Sequence, residues 1–231
     1  MCMEKITNII NESSWGDSNG KRWEDYETIK CPDGQIIDMN KLLDEQQRAK
    51  AALVHLMPFF NVFINKLRPI YTFRVETQAT NGCDLFINPQ FTYNLDLTGK
   101  VFVLAHEIMH CVLNHMRRSK GHDSMKSNIA ADYECNNFLV DIDLVTPAII
   151  NKLGALYDSK YSGWGYEKIY ADSPKGSNQT MDNQKGEQDA KKNQQDQNGK
   201  GGQGGNQKYT ADYKAGWNQA MEDFKNGKIK L

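Results

Sequence analysis

A chain of 231 residues has room for one ordinary domain plus extensions. Its hydrophobic content of 39% is low enough to leave part of the length outside any core. A formal net charge of -1 gives no electrostatic case for nucleic acid or an acidic membrane surface. No apolar run is long enough to span a bilayer, and Met1-Cys-Met-Glu-Lys is not a signal peptide. The five cysteines are scattered, odd in number and without a Cys-x-x-Cys pair, which favours reduced thiols and a cytoplasmic protein.

Residues 1–39 form an N-terminal extension in which 4–11 has the character of a short helix. Thr28–Lys30 and Gln35–Ile37 flank Pro32-Asp33-Gly34, a hairpin signal, and Trp23 and Tyr26 are expected to pack on the domain. From Asn40, Leu42, Leu43, Ala49, Ala52 and Leu53 make a helical stripe that Pro58 should break. Phe59–Leu67 continues as a second helical piece, and His55, near the break, has no ligand partner close in sequence. The β-branched and aromatic run Tyr71–Val75 predicts a strand, Thr77–Asn81 a connection and Asp84–Ile87 a second, short strand. An exposed edge of such a pair can accept an extended peptide.

The chain is organised around Phe102-Val-Leu-Ala-His106-Glu107-Ile-Met-His110-Cys-Val-Leu-Asn114-His115. On a helix His106 and His110, four residues apart, share one face and can reach one Zn²⁺ at about 2.0–2.1 Å. Glu107 is turned about 100° from His106, where it can serve as general base to a water at the metal without binding the metal itself. Thr98 is a plausible N-cap, and the basic residues before Gly121 suit a helix C-terminus, so the helix is expected to run to Gly121. Its wheel is apolar nearly all round, which predicts a buried helix.

The longer ligand pattern His-Glu-x-x-His-x-x-Gly-x-x-His is absent. His115 lies nine residues past His106, about 180° around a continuous helix, so it is expected to be a buried, hydrogen-bonded histidine outside the site. His122 lies past Gly121, where solvation is the commoner fate. A carboxylate on the following helix, about 128–140 with Ser127 as cap, is the remaining route to a third ligand. Asp132 is the best candidate there, with Asn136 one turn on as its supporting group, and Glu134 faces elsewhere. Thr146–Tyr170 predicts one or two short helices around Gly163-Trp164-Gly165.

Residues 173–208 are dominated by Lys, Gln, Asn, Asp and Gly, a composition that predicts a disordered linker. Within 209–231, Tyr213, Trp217, Ala220, Met221 and Phe224 share a helical face, so a short amphipathic helix is expected, able to dock on its own domain or on a protein partner.

Leu85-Phe-Ile-Asn88-Pro89-Gln-Phe91, Phe102-Val-Leu-Ala-His106-Glu107 and Asn128-Ile-Ala-Ala-Asp132-Tyr-Glu-Cys-Asn136 together resemble a metallopeptidase-domain family of bacteria and phages. That family is often found with von Willebrand factor A-type domains, whereas residues 173–231 are expected to hold only the linker and the short helix. The resemblance covers roughly 45–170. It implies an α+β, zincin-like fold, mainly helical with a small sheet before the motif helix, and a third metal ligand at the position of Asp132. The chain is therefore expected to be a zinc metallopeptidase over 40–172, acting on protein or peptide substrates. His106, His110 and Asp132 hold Zn²⁺, Glu107 is the base, and Tyr133, Tyr157, Tyr166 or His122 offers a second oxyanion donor. The alternative is a metal-stabilised, non-catalytic module that binds a partner through the C-terminal helix.

Overall fold

The computed structural model describes Gly16 and residues 20–173. The expected helix at 4–11, the linker beyond Ser173 and the helix within 209–231 lie outside the described residues.

β1 (Thr28–Lys30) and β2 (Ile36–Asp38) form the expected hairpin, with Ile29 opposite Ile37. Both isoleucines are buried while their neighbours face out, so the period of two sets the register. Gly34 turns the chain at φ 95°, a left-handed conformation that glycine adopts without strain. Trp23 and Tyr26 pack against the core, Trp23 edge-on to Phe73.

α1 (Met39–Leu56) starts where the Asp38 carboxylate accepts a hydrogen bond from the Lys41 amide. Met39, Leu42, Gln46, Ala49 and Leu53 recur at three- and four-residue steps and are buried along one stripe. Pro58 interrupts the helix as expected, and a 3₁₀ turn leads into α2 (Asn61–Lys66). His55 is exposed on α1.

A three-stranded sheet follows: β3 (Arg68–Tyr71), β4 (Gln78–Thr80) and β5 (Asp84–Ile87), in the order β3-β5-β4. Central β5 is parallel to β3 and antiparallel to β4, and all four of its residues are buried. The strand expected at Tyr71–Val75 lies earlier, at Arg68–Tyr71, and the connection expected at Thr77–Asn81 contains β4. Pairing with β5 decides this over local β-propensity. Pro69 is tolerated because β3 is an edge strand with ladder bonds on one side only.

α3 (Pro89–Tyr93) is capped by Asn88, whose side chain accepts from the Gln90 and Phe91 amides. α4 (Leu97–Val112) carries the motif. Its N-cap is Asp96, not Thr98, because the Asp96 carboxylate accepts from the Gly99 amide at 2.7 Å. The helix is apolar nearly all round because it packs against α1, β4 and the later helix α6 (Ser124–Asp141). Even Lys100 is buried on it, its ammonium paired with Glu45 at 3.1 Å and bonded to the Leu95 carbonyl.

The helix does not run on to Gly121. It ends at Val112, Asn114 adopts a left-handed conformation (φ 56°, ψ 38°), and the short α5 (His115–Arg118) sets off in a new direction. α6 starts earlier than expected, capped by Asp123, while Ser127 is buried within it and accepts from the Tyr166 hydroxyl. α7 (Pro147–Lys152), a 3₁₀ turn at Ser159–Tyr161 and α8 (Tyr166–Asp172) complete the described fold. The architecture is α+β and mainly helical, with the small sheet preceding α4 in the chain.

Candidate metal centre

α4 and α6 bring three donor atoms together. His106 Nε2 and His110 Nε2 are 3.0 Å apart. Asp132 Oδ1, from α6, lies 3.5 Å from the first and 3.4 Å from the second. Donors about 2.0–2.1 Å from a tetrahedral ion stand about 3.3–3.4 Å from one another. The triangle of two imidazole nitrogens and a carboxylate oxygen therefore has the dimensions of one face of a zinc site, and its chemistry suits that ion.

The far side of each group is already committed. The His106 Nδ1 faces Asn136 Oδ1 at 2.8 Å, and the Asn136 amide donates to the Leu156 carbonyl at 2.7 Å, which fixes which end of Asn136 accepts. His106 therefore donates from Nδ1, which leaves Nε2 as the nitrogen able to bind a metal once it gives up its proton. The His110 Nδ1 lies 3.0 Å from His115 Nδ1. The second oxygen of Asp132 accepts from Asn128 at 3.1 Å, one turn back on α6, leaving Oδ1 towards the histidines.

Cys135 is a second candidate donor: suitable atoms of His106, His110 and Cys135 all lie within 4.8 Å of one another. Its thiol, however, is fully buried and sits 3.7 Å from His115 Nδ1. Burial, with the charges of Asp132, Glu134 and Glu107, pushes that thiol well above its ordinary range. A metal binds the thiolate, which this burial disfavours until an ion is there to draw the proton off.

Electrostatics separate the two carboxylates. Burial pushes the Glu107 carboxyl up to about 7, against the charge of His106 and with that of Asp132. Asp132 is half-buried, which opposes its charge, but its bonds to His106 and His110 outweigh that and hold it well below the usual carboxylate range. Burial pulls His110 down to about 4. Burial also opposes charge on His106, yet the hydrogen bond and charge of Asp132 bring it up to about 9. The same site thus shifts its two carboxyl groups in opposite directions, Asp132 down and Glu107 up.

Of the other residues singled out in sequence, His115 is buried and reaches His110, because the break at Asn114 cancels the half-turn that a continuous helix would impose. Its Nε2 is 2.6 Å from Glu134. Glu134 also takes two bonds from Arg118, at 2.9 and 3.3 Å, so its carboxylate is committed away from the Nε2 triangle. His122 is exposed, stacked on Tyr170 and bonded to the Tyr166 hydroxyl. That hydroxyl also serves Ser127, and Tyr166 is fully buried. Tyr133 packs on Tyr161. Tyr157, half-buried, directly follows the Leu156 carbonyl that holds Asn136. Sequence reasoning passed over Asn128, although its spacing of four residues from Asp132 on a helix was the available signal.

Two imidazoles converge here with a carboxylate and a thiol close by, a group that could hold a metal ion, and a buried glutamate lies next in sequence to His106. In line with this, the chain belongs to the family described as "Putative metallopeptidase domain", which matches residues 42–227. No match was found among the curated proteins or the solved structures. Membership implies a metal ion and a protein or peptide substrate. No described helix is long and apolar enough to cross a membrane.

Proposed function

We propose that the chain is a zinc-dependent peptidase of zincin-like fold, with Zn²⁺ held by His106, His110 and Asp132 and with Glu107 as general base. The observation that carries this is the triangle of His106 Nε2, His110 Nε2 and Asp132 Oδ1, with edges of 3.0, 3.5 and 3.4 Å. Bound Zn²⁺ would lower the pKa of water towards about 7 and stabilise negative charge on a carbonyl oxygen.

The remaining chemistry falls to the chain's own residues. Glu107 accepts a proton from the attacking water as the water oxygen bonds to the scissile carbonyl carbon. It then gives that proton to the amide nitrogen as the C–N bond breaks. A carboxyl pushed up to about 7 is matched to both transfers. Asn136, Asn128 and the bonds behind His110 hold the three donors in place. β4 is an edge strand packed on α4, so an extended substrate that adds to it would run beside the motif helix. Free Cys31, Cys83, Cys111 and Cys135 fit a reducing, cytoplasmic setting.

The test is hydrolysis of an unfolded protein such as casein. Purified protein with zinc should release peptides, a chelator should stop it, and Glu107→Gln should be inert while still binding metal. A metal-loaded wild type that cuts nothing, with Glu107→Gln indistinguishable from it, would favour the non-catalytic interaction module.

A further inference from the structure

Behind His110 runs a chain of bonds that the ligand set does not explain. His115 Nδ1 lies 3.0 Å from His110 Nδ1, and His115 Nε2 lies 2.6 Å from Glu134 Oε2. Arg118 grips Glu134 through both terminal nitrogens and continues to Glu167 at 2.8 and 2.9 Å. Both His115 and Glu134 are more than nine-tenths buried, and four helices contribute to the chain: α4, α5, α6 and α8.

Two nitrogens facing each other can form one hydrogen bond, in either of two polarities. If His115 donates from Nδ1, His110 must accept there, and its own ring proton then sits on Nε2, where it blocks a metal. If His115 accepts at Nδ1, His110 donates, and its Nε2 keeps a lone pair. Glu134 decides between them: an ionised carboxylate only accepts, so it draws the His115 proton to Nε2 and leaves Nδ1 as the acceptor. Arg118 orients that carboxylate through two hydrogen bonds.

We propose that His115, oriented by Glu134 and Arg118, is a positioning residue that sets the ring tautomer of His110 for metal binding. This rests on the metal-centre reading above, with His110 binding through Nε2. His115 does not itself touch the ion. It does for His110 what Asn136 does for His106, but by a relay that reaches Arg118 and the surface residue Glu167.

Two measurements test it. Nitrogen-15 spectra of the histidine rings in the wild-type chain should show His110 protonated at Nδ1 and His115 protonated at Nε2; the reverse assignment overturns the proposal. Zinc affinity, by competition with a chromogenic chelator, should then fall by about 10–100-fold in His115→Phe, the usual range for loss of a group behind a ligand. His115→Asn, whose side-chain carbonyl can accept near the Nδ1 position, should recover most of that loss, which a simple packing role would not. A folded His115→Phe variant with wild-type zinc affinity overturns the proposal while the metal centre stands. Absence of zinc binding by the wild type overturns both. Should His115→Phe fail to fold, the wild-type ring spectra still decide.

Discussion

His106 and His110 differ in what stands behind them, and the difference has measurable consequences. Removing either ring removes a donor, so His106→Ala and His110→Ala should each abolish stoichiometric zinc, as read by metal analysis of the purified variants. Asp132→Ala should weaken zinc severely. Asn128→Ala, which releases only the second oxygen of Asp132, should cost about tenfold in affinity. If Asp132→Ala keeps full affinity and Cys135→Ala loses it, the sulfur is the third donor. The pH dependence has a definite sign. His106 is brought up to about 9, so below that pH zinc must displace a proton from it. Apparent affinity should therefore rise with pH, by about tenfold per unit for each proton displaced, between about pH 6 and pH 8. A zinc titration independent of pH would contradict the idea that His106 is a ligand.

At the scale of elements, the break between α4 and α5 matters most. Asn114 holds the left-handed conformation there, and a left-handed alanine costs about 1–2 kcal/mol. Asn114→Ala should lower the melting temperature by a few degrees and reduce zinc affinity, because a straightened helix carries His115 away from His110. Asn114→Gly should match the wild type in both measurements. The elements legible in the sequence were those fixed by local chemistry. The stripe of α1, the break at Pro58 and the hairpin at Gly34 need only nearby residues to specify them. The strand near Tyr71 was misplaced because its limits are set by the register against β5 sixteen residues away, which local propensity does not encode. The end of α4 was missed because apolar periodicity continues through Val112 and Leu113, although an asparagine just past that run is a known helix stop. That miss also hid the contact of His115 with His110. Helical spacing singled out His106, Asp132 and Asn136 in the sequence, and the structure brings them together; the Glu134–Arg118–Glu167 chain was not legible, since three helices must meet to form it.

At the scale of the whole molecule, the site lies between α4 and α6, with α8 bound to α6 through Tyr166 and Ser127 and to α5 through Glu167 and Arg118. The Ser173 side chain closes the end of α8 by donating to the Ile169 carbonyl. Among the described residues, the groups assigned to the candidate centre all lie before residue 174. A chain ending at Ser173 should fold and load zinc like the full chain, as judged by circular dichroism and metal content. If it unfolds, the segment beyond 173 belongs to the core, and the expected division of the chain there is wrong.

The most direct test of the central claim is the zinc content of the wild type beside Glu107→Gln, both purified without chelator, together with their ability to cleave casein. The expected result is about one zinc per chain in both proteins, with cleavage by the wild type alone. A wild type that holds no metal, or a Glu107→Gln variant that cleaves as fast as the wild type, would contradict it.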